Sequence, residues 1–233
     1  MRIAFISDIH SNLEALKRVL ERIDQLGAER IYCLGDIVGY GPFPDPCVQL
    51  VRERCNAVVK GNHDAGATGE LAIGHFERYG RVAISWTREH LSPENATYLK
   101  QLPLLLALEE ITIAHATPHD PGSWRYVRSW PQMRECFSWF ATTLCFIGHT
   151  HIPIIAAEDG SMNKFAARKR HLINVGSVGQ PRDGNARASF GLLDTSTWTF
   201  DIVRVEYNAE VTAEAIKSAG LPDFLGQRLF QGI

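Results

Sequence analysis

Residues 1–27, MRIAFISDIHSNLEALKRVLERIDQLG, decide the fold class, because a strand, a polar turn and a helix follow one another without a break. Residues 2–7 are a short β-branched and aromatic run that ends where polar residues begin, the pattern of a buried strand. Leu13, Leu16, Val19, Leu20, Ile23 and Leu26 then recur at helical spacing, with Ser11 or Asn12 to cap the first turn and Gly27 to stop the last. Asp8-Ile9-His10 falls between them, at the carboxyl end of the strand. Moving outward, the alternation returns: Arg30–Leu34 predicts a strand, Asp45–Cys55 a helix opened by Pro46, and Asn56–Lys60 another strand. Strands alternating with helices imply βαβ units and a largely parallel sheet.

Farther along, residues 69–101 predict a helical middle, with a capped start at Ser92-Pro93-Glu94. Leu104–Ala116 predicts a hairpin turning at Glu109-Glu110. The last third offers strands at Leu144–Ile147, Ile152–Ala156, Leu172–Val175, Phe190–Leu193 and Trp198–Tyr207, separated by Gly, Asp and Asn clusters without intervening helices. An antiparallel second sheet packed on the first accommodates them most simply. The expected architecture is therefore α/β: a two-sheet sandwich flanked by helices and built from ββαβ-type units. No repeat, low-complexity segment or linker divides residues 1–233, so one domain is expected.

Composition narrows the function classes. A hydrophobic fraction of 45% and a charged fraction of 21% are ordinary globular values. The formal net charge of -2 supplies no field for polyanions, and the longest basic run, Arg168-Lys169-Arg170, reads as a solvated loop, so duplex nucleic acid is not an expected partner. Cys33, Cys47, Cys55, Cys136 and Cys145 form no C-x-x-C pair and leave an odd one over, which argues against a disulfide framework and against thiolate-held zinc. The longest apolar stretch, Leu104–Leu108, is far shorter than the roughly 20 residues a bilayer requires. With no signal-peptide pattern at the start, cytoplasm is the expected compartment and a membrane is not an expected partner.

Five polar motifs each fall at the end of an expected strand: Asp8-Ile9-His10, Gly35-Asp36, Gly61-Asn62-His63-Asp64, His115, and Gly148-His149-Thr150-His151. In an open α/β sheet, ligands bind in the crevice outside the carboxyl ends of the strands, so residues distant in sequence converge there. Asp-x-His and His-x-His spacing lets residues i and i+2 of a strand point to one face and reach one metal region. Carboxylate and imidazole together suit Mn, Fe, Co, Ni or Zn. A neutral Asn adds an oxygen ligand without charge, and two carboxylates against two dications leave a positive surplus for phosphate and a bound hydroxide. A lone Asp or His at a strand end is more often a cap, and Asn62 after Gly61 could be a turn residue. Joint occurrence of all the motifs favours the metal reading.

The set resembles the calcineurin-like metallophosphoesterase superfamily, whose pattern is D-x-H, G-D, G-N-H-[DE], a later H, and G-H-x-H. The resemblance covers residues 1–195, and Gly35-Asp36-Ile37-Val38-Gly39-Tyr40-Gly41-Pro42 together with Gly148-His149-Thr150-His151 is similar to the small bacterial and archaeal phosphodiesterase branch. It implies a metal-dependent phosphoesterase holding two divalent transition-metal ions, manganese first among them. Asp8, His10 and His151 would hold one ion, Asn62, His115 and His149 the other, and Asp36 would bridge. A metal-bound hydroxide would attack phosphorus in line, with no covalent enzyme intermediate. His63 would bind no metal and would either stabilise the transition state or protonate the leaving oxygen. Related protein Ser/Thr phosphatases carry G-D-x-V-D-R-G, whose Asp orients that histidine and whose Arg grips phosphate. Gly39 and Tyr40 stand there in this chain, which argues against protein phosphatase activity and leaves His63 to be oriented by Asp64 or a main-chain carbonyl.

A replacement cation is expected in residues 174–184, NVGSVGQPRDG, where Arg182 is the nearest candidate for substrate binding; pairing with Asp183 in a surface turn is the competing reading. Trp124, Arg125 and Tyr126 form either a stacking wall for a base or a hydrophobic anchor. His75, His90, His119 and His171 match no motif and are assigned to surface or core. A non-catalytic metal scaffold is disfavoured because no ligand is missing, and a carbon-ester or amide hydrolase because its ligands are arranged differently. The expected partner is a small phosphate ester: a phosphodiester, a nucleotide phosphomonoester, a cyclic nucleotide or a diadenosine polyphosphate.

Overall fold

A computed structural model describes residues 1–233. Strand β1 (Arg2–Ile6) is followed by α1 (Leu13–Gln25), β2 (Arg30–Cys33), α2 (Pro44–Arg54) and β3 (Ala57–Val58). Asn12, not Ser11, caps α1: its side chain accepts from the Ala15 amide. Ala15, Leu16, Val19, Leu20 and Ile23 form the buried stripe, and Gly27 ends the helix at φ +66°. Pro44 rather than Pro46 opens α2.

The middle is helical as expected but begins earlier. Helix α3 (Asn62–Ala67) starts directly after β3, and α4 (Arg78–His90) and α5 (Pro93–Gln101) follow. The hairpin β4 (Leu105–Leu108) and β5 (Ile111–Ala114) turns at Glu109-Glu110. Helix α6 (Trp130–Cys136), which the sequence pattern does not announce, leads to β6 (Leu144–Ile147), β7 (Ile154–Ala157), β8 (His171–Asn174), β9 (Ala188–Asp194) and β10 (Thr199–Val205). Helices α7 (Ala209–Ser218) and α8 (Asp223–Gln227) and a last turn at Arg228–Phe230 complete the chain described.

These elements form two five-stranded sheets flanked by helices, ordered β10-β9-β1-β2-β3 and β4-β5-β6-β8-β7. The strands of the last third divide between them, which differs from the simple antiparallel second sheet. β9 and β10 join the first sheet, β9 running antiparallel to β1. In the second sheet β5, β6 and β8 are parallel and only the outer strands β4 and β7 are antiparallel. A parallel run is possible because the β5-to-β6 connection carries α6 over the outer face of the sheet.

Strand β1 shows how the core is divided. Ile3 and Phe5 face the second sheet, whereas Ala4 and Ile6 face α1 and α2, the alternation that strand geometry dictates. Between the sheets Phe5 stacks on Phe146 with ring centroids 3.6 Å apart. A third cluster joins the outer face of the second sheet to α6 through Met133, Cys136 and Ile147. The basic triplet is not simply solvated: Arg170 pairs with Glu158 and donates to the carbonyls of Phe137 and Phe140, clasping that outer layer.

The parallel strands β1, β2 and β3 of one sheet and β5 and β6 of the other all bring their carboxyl ends to the same edge of the sandwich. No helix is long and apolar enough to cross a membrane.

Candidate metal centre

Each strand that ends at this edge delivers one or two polar side chains from the residues immediately after it. Asp8 and His10 follow β1, Asp36 follows β2, Asn62 and His63 open α3 after β3, His115 follows β5, and His149 and His151 follow β6. All eight are buried, from fully for Asp8 and His115 to 9% exposed for Asn62. Strand alternation does not aim them. Asp8, His10, Asp36, His149 and His151 have φ of 53°, 50°, 53°, 66° and 61°, the left-handed region that non-glycine residues rarely occupy. Such strain persists only where the surroundings over-determine it, and it concentrates at functional sites.

Interlocked loops supply the constraint. The amides of Asp8, His10 and Ser11 donate to the carbonyls of Gly35, Asp36 and Ile37. The Asp64 carboxylate accepts from four amides, those of Asp36, Ile37, Val38 and Gly61, at 2.9–3.2 Å, and so fixes the Asp36 loop against the start of α3. Asn174 ties the Gly148 carbonyl and the Thr150 hydroxyl together. Gly61 is required by closeness: a Cβ there would lie 2.1 Å from Asp36 Oδ1.

The side chains gather into two groups that share Asp36. In the first, His151 Nε2 lies 3.2 Å from Asp8 Oδ1 and 3.1 Å from His10 Nε2. In the second, His115 Nε2 lies 3.2 Å from Asn62 Oδ1 and 3.2 Å from His149 Nδ1. Asp36 Oδ1 accepts from the His63 amide at 2.8 Å, while Oδ2 stands 3.7 Å from His10 Nε2 and 3.2 Å from His115 Nε2, between the groups.

Donor chemistry tests whether a cation fits. His10 Nδ1 donates to the Val38 carbonyl and His151 Nδ1 to that of Gln180, which leaves a lone pair on each Nε2. Burial pushes both rings well below the ordinary histidine range, so both are neutral and two lone pairs face each other across 3.1 Å. A divalent ion accepted by both, with Asp8, resolves that opposition. In the second group His149 Nε2 is likewise held by the Trp124 carbonyl and His115 Nδ1 by that of Leu34. Burial disfavours a charged His115, but Asp36 outweighs it and holds that ring up to about 9, so that a proton occupies the charge-accepting place there. Burial would raise Asp36, yet His115, His63 and His10 hold it well below the usual carboxylate range.

His63 stands beside both groups. Its Nδ1 is buried without a hydrogen-bond partner, and neither Asp64 nor a main-chain carbonyl orients the ring, contrary to expectation. Packing does so: the Tyr40, His10 and Phe76 rings surround it with centroids at 4.4, 4.7 and 5.0 Å. Gly39, at φ +89°, leaves the space, since a Cβ would lie 2.3 Å from His63 Nδ1. Burial lowers His63 to about 4, against the pull of Asp36.

A cavity of about 220 Å³ opens onto Asn62, His63 and His149 and is walled by Tyr40, Phe76, Trp124 and Tyr126. Tyr126 is no free stacking face, because it lies on His149 with centroids 4.0 Å apart and Arg128 covers its ring at 3.9 Å. Arg125 turns away to pair with Glu135. His75 is exposed but lines this cavity, a position its sequence context did not signal. Arg182 does not pair with Asp183, which is taken by Arg204. Its guanidinium donates to Gln180 Oε1, leaves Nε without a partner and stands 5.7 Å from the centroid of Tyr40. Tyr40 lies within the Gly35–Pro42 stretch, whereas Phe76 carries no motif and only its packing on His63 in the fold reveals it.

Residues 1–198 match the profile of the calcineurin-like phosphoesterase superfamily domain. A Methanocaldococcus jannaschii protein whose name states no activity is 43% identical, covering 99% of this chain and 98% of its own. The Escherichia coli K12 phosphodiesterase YfcE is 29% identical over 83% of this chain and 88% of its own. A crystal structure of a metallophosphoesterase from Sphaerobacter thermophilus superposes over 100% of this chain and 99% of its own, with a TM-score of 0.89 and 38% identity.

Proposed function

Because the chain belongs to the calcineurin-like phosphoesterase superfamily, in its small bacterial and archaeal branch, and is thus a hydrolytic phosphoesterase, we propose that it cleaves a small phosphodiester or phosphomonoester with two divalent transition-metal ions. Asp8, His10 and His151 would hold one ion, Asn62, His115 and His149 the other, and Asp36 would serve both. The observation that carries this reading is the pair of neutral Nε2 atoms facing each other at 3.1 Å beside Asp8, a donor set that a divalent cation satisfies. Mixed imidazole and carboxylate donors suit Mn, Fe, Co, Ni or Zn, and manganese is the ion proposed from the family resemblance. When bound, the ions supply Lewis acidity and a hydroxide at neutral pH.

The chain's own groups complete the reaction. His63 Nδ1 is enclosed against Gly39, so Nε2 is the nitrogen that meets the phosphoryl group and passes a proton to the leaving oxygen. A phosphate charge beside the ring favours its protonated form, offsetting the burial that otherwise keeps it neutral. Arg182, lacking a carboxylate partner, grips phosphoryl oxygens. The aromatic walls of the cavity favour a second, narrower reading in which the ester is a nucleotide, a diadenosine polyphosphate included. Either reaction is expected in the cytoplasm.

The test is elemental analysis of purified protein together with hydrolysis of bis(p-nitrophenyl) phosphate by the manganese-loaded form. Two ions per chain and turnover are expected; a metal-free protein that cannot be loaded, or a loaded one without turnover, sinks the reading. Loading also has a pH signature. His115 must lose its proton to bind metal, so affinity rises with pH until that ring's own value of about 9 and is flat above it. Calorimetry at pH 7.5 in buffers of different ionisation enthalpy should register about one proton released at that site.

A further inference from the structure

Helices α7 and α8 and the last turn follow residue 198, where the match to the superfamily profile ends, yet they close over one flank of the metal centre. Hydrogen bonds pin the segment along its length. The Thr212 hydroxyl donates to Asn12 Oδ1 at 3.0 Å in a buried contact, and Asn12 in turn donates to the Gly179 carbonyl at 2.8 Å. The Trp86 indole donates to the Ala219 carbonyl at 3.0 Å, and the Gly184 amide to that of Gly232 at 2.9 Å. Inside this frame Ile216, Leu225 and Leu229 are buried in one apolar cluster, and Tyr40 packs on it. Leu225 and Leu229 also line a cleft of about 10 Å³ together with Tyr40 and His10. A space that small holds no more than one water, so the groups around it are in near contact.

The Tyr40 ring is thus wedged between this cluster and two histidines, its centroid 4.4 Å from that of His63 and 4.7 Å from that of His10. Its backbone is held as tightly. Tyr40 has φ 58°, and the following Gly41 amide donates to the His10 carbonyl at 3.0 Å. A left-handed tyrosine persists only where its surroundings over-determine it. His63 depends on that ring, because no hydrogen bond fixes its Nδ1. A histidine anchored by a hydrogen bond tolerates small shifts of its neighbours, whereas one held by close packing follows them.

We propose that Leu225 and Leu229 are positioning residues for His63, acting through the Tyr40 ring. The proposal rests on the phosphoesterase reading above and deepens it: the C-terminal helices hold the proton donor in register with the phosphoryl group without touching substrate. Removing a buried side chain from the cluster gives Tyr40 room to tilt, and His63 moves with it. A displacement on the order of 1 Å at a group that must meet a reacting oxygen lowers the rate by about tenfold to 10²-fold. Binding of metal and substrate does not share that loss, because no ligand to either is moved.

The experiment is a double-mutant cycle on the manganese-loaded protein, with bis(p-nitrophenyl) phosphate as substrate and all rates taken well below the unfolding transition. Leu229→Ala should lower kcat by about tenfold, with KM within about twofold and metal content at the parent value. Leu229→Met, which refills most of the volume, should recover at least about half of the parent kcat. In a His63→Gln background Leu229→Ala should cost less than about twofold, since substitutions that act through one group are not additive. If Leu229→Ala does not fold, Leu225→Val enters the same cycle, with an expected loss of about threefold that vanishes in the His63→Gln background. A kcat equal to the parent's in a variant whose Tm falls would make the cluster merely structural and overturn the proposal. A full loss repeated in the His63→Gln background also overturns it, as does an effect confined to KM, which would point instead to Arg182, 5.7 Å from the Tyr40 centroid. Those outcomes leave metal content and turnover of the parent intact, whereas failure of the phosphoesterase reading removes them from the parent itself.

Discussion

The two ends of the sandwich contrast in what they do with space. At the end where the strands begin, a cavity of about 420 Å³ is lined chiefly by apolar residues, among them Ile3, Tyr32, Ala107, Leu193 and Trp198, with Arg30, Glu109 and Glu110 as its charged groups. At the other end the cavity is about 220 Å³, roughly half as large, but it opens onto Asn62, His63 and His149, donors that follow β3 and β6. Left-handed residues occur at both ends with different purposes. Glu109 and Trp198, at φ 51° and 50°, turn hairpins, whereas Asp8, His10, Asp36, His149 and His151 aim side chains at one another. The volume of a cavity therefore does not mark the chemistry. Convergence of donors held in strained backbone does, and substitutions at the two ends should separate catalysis from stability.

The largest expected effect is at Asp36. Asp36→Asn keeps an oxygen for the His63 amide, so the local fold survives, but it removes the negative charge shared by the two groups. Activity should fall by at least about 10³-fold, with the ion pair depleted. A variant holding two ions per chain would show that Asp36 does not serve both. Next is His63→Gln, which should lose about 10² to 10⁴ in kcat, the usual contribution of a positioned acid, while keeping its metal. If it arrives metal-free, His63 is a ligand, a role its proximity to His10 and Asp36 also permits.

Much of the strand-end convergence was legible because the motifs follow β1, β2, β3, β5 and β6 directly in sequence. Helix α1 was legible too, since Asn12, the Leu16 to Ile23 stripe and Gly27 are local signals. The pairing of β9 and β10 with the first sheet was not, because partner choice depends on long-range packing of Leu193 and Phe200 into the inter-sheet core. Asn62–Ala67, NHDAGA, reads as a turn by composition and becomes helical through the Asp64 bonds to Gly61 and the Asp36 loop.

A smaller effect is expected at Arg182. Arg182→Lys retains the charge but not the fork, and should lower kcat/KM by about tenfold, roughly 1.4 kcal/mol, with normal metal content. Kinetics matching the parent would make Arg182 a bystander to the reacting ester.

The smallest kinetic effect belongs to the opposite end, and there the comparison is most exposed to failure. Trp198 sits at the β9–β10 turn, lines the larger cavity and is packed against the inter-sheet cluster that includes Phe200 and Leu193. Trp198→Ala removes part of a half-buried indole from this packing and leaves a wider void. The expected loss is roughly 1–2 kcal/mol, below that of a fully buried Trp, corresponding to a Tm lower by roughly 3–8 °C for a chain of this size. Nothing in that packing reaches the metal groups, which lie at the far ends of the same strands. Metal content should stay at the parent value, and kcat/KM should stay within about twofold when measured well below the transition. A tenfold kinetic loss at unchanged Tm would mean that the larger cavity takes part in the reaction, and the division between the two ends would not stand.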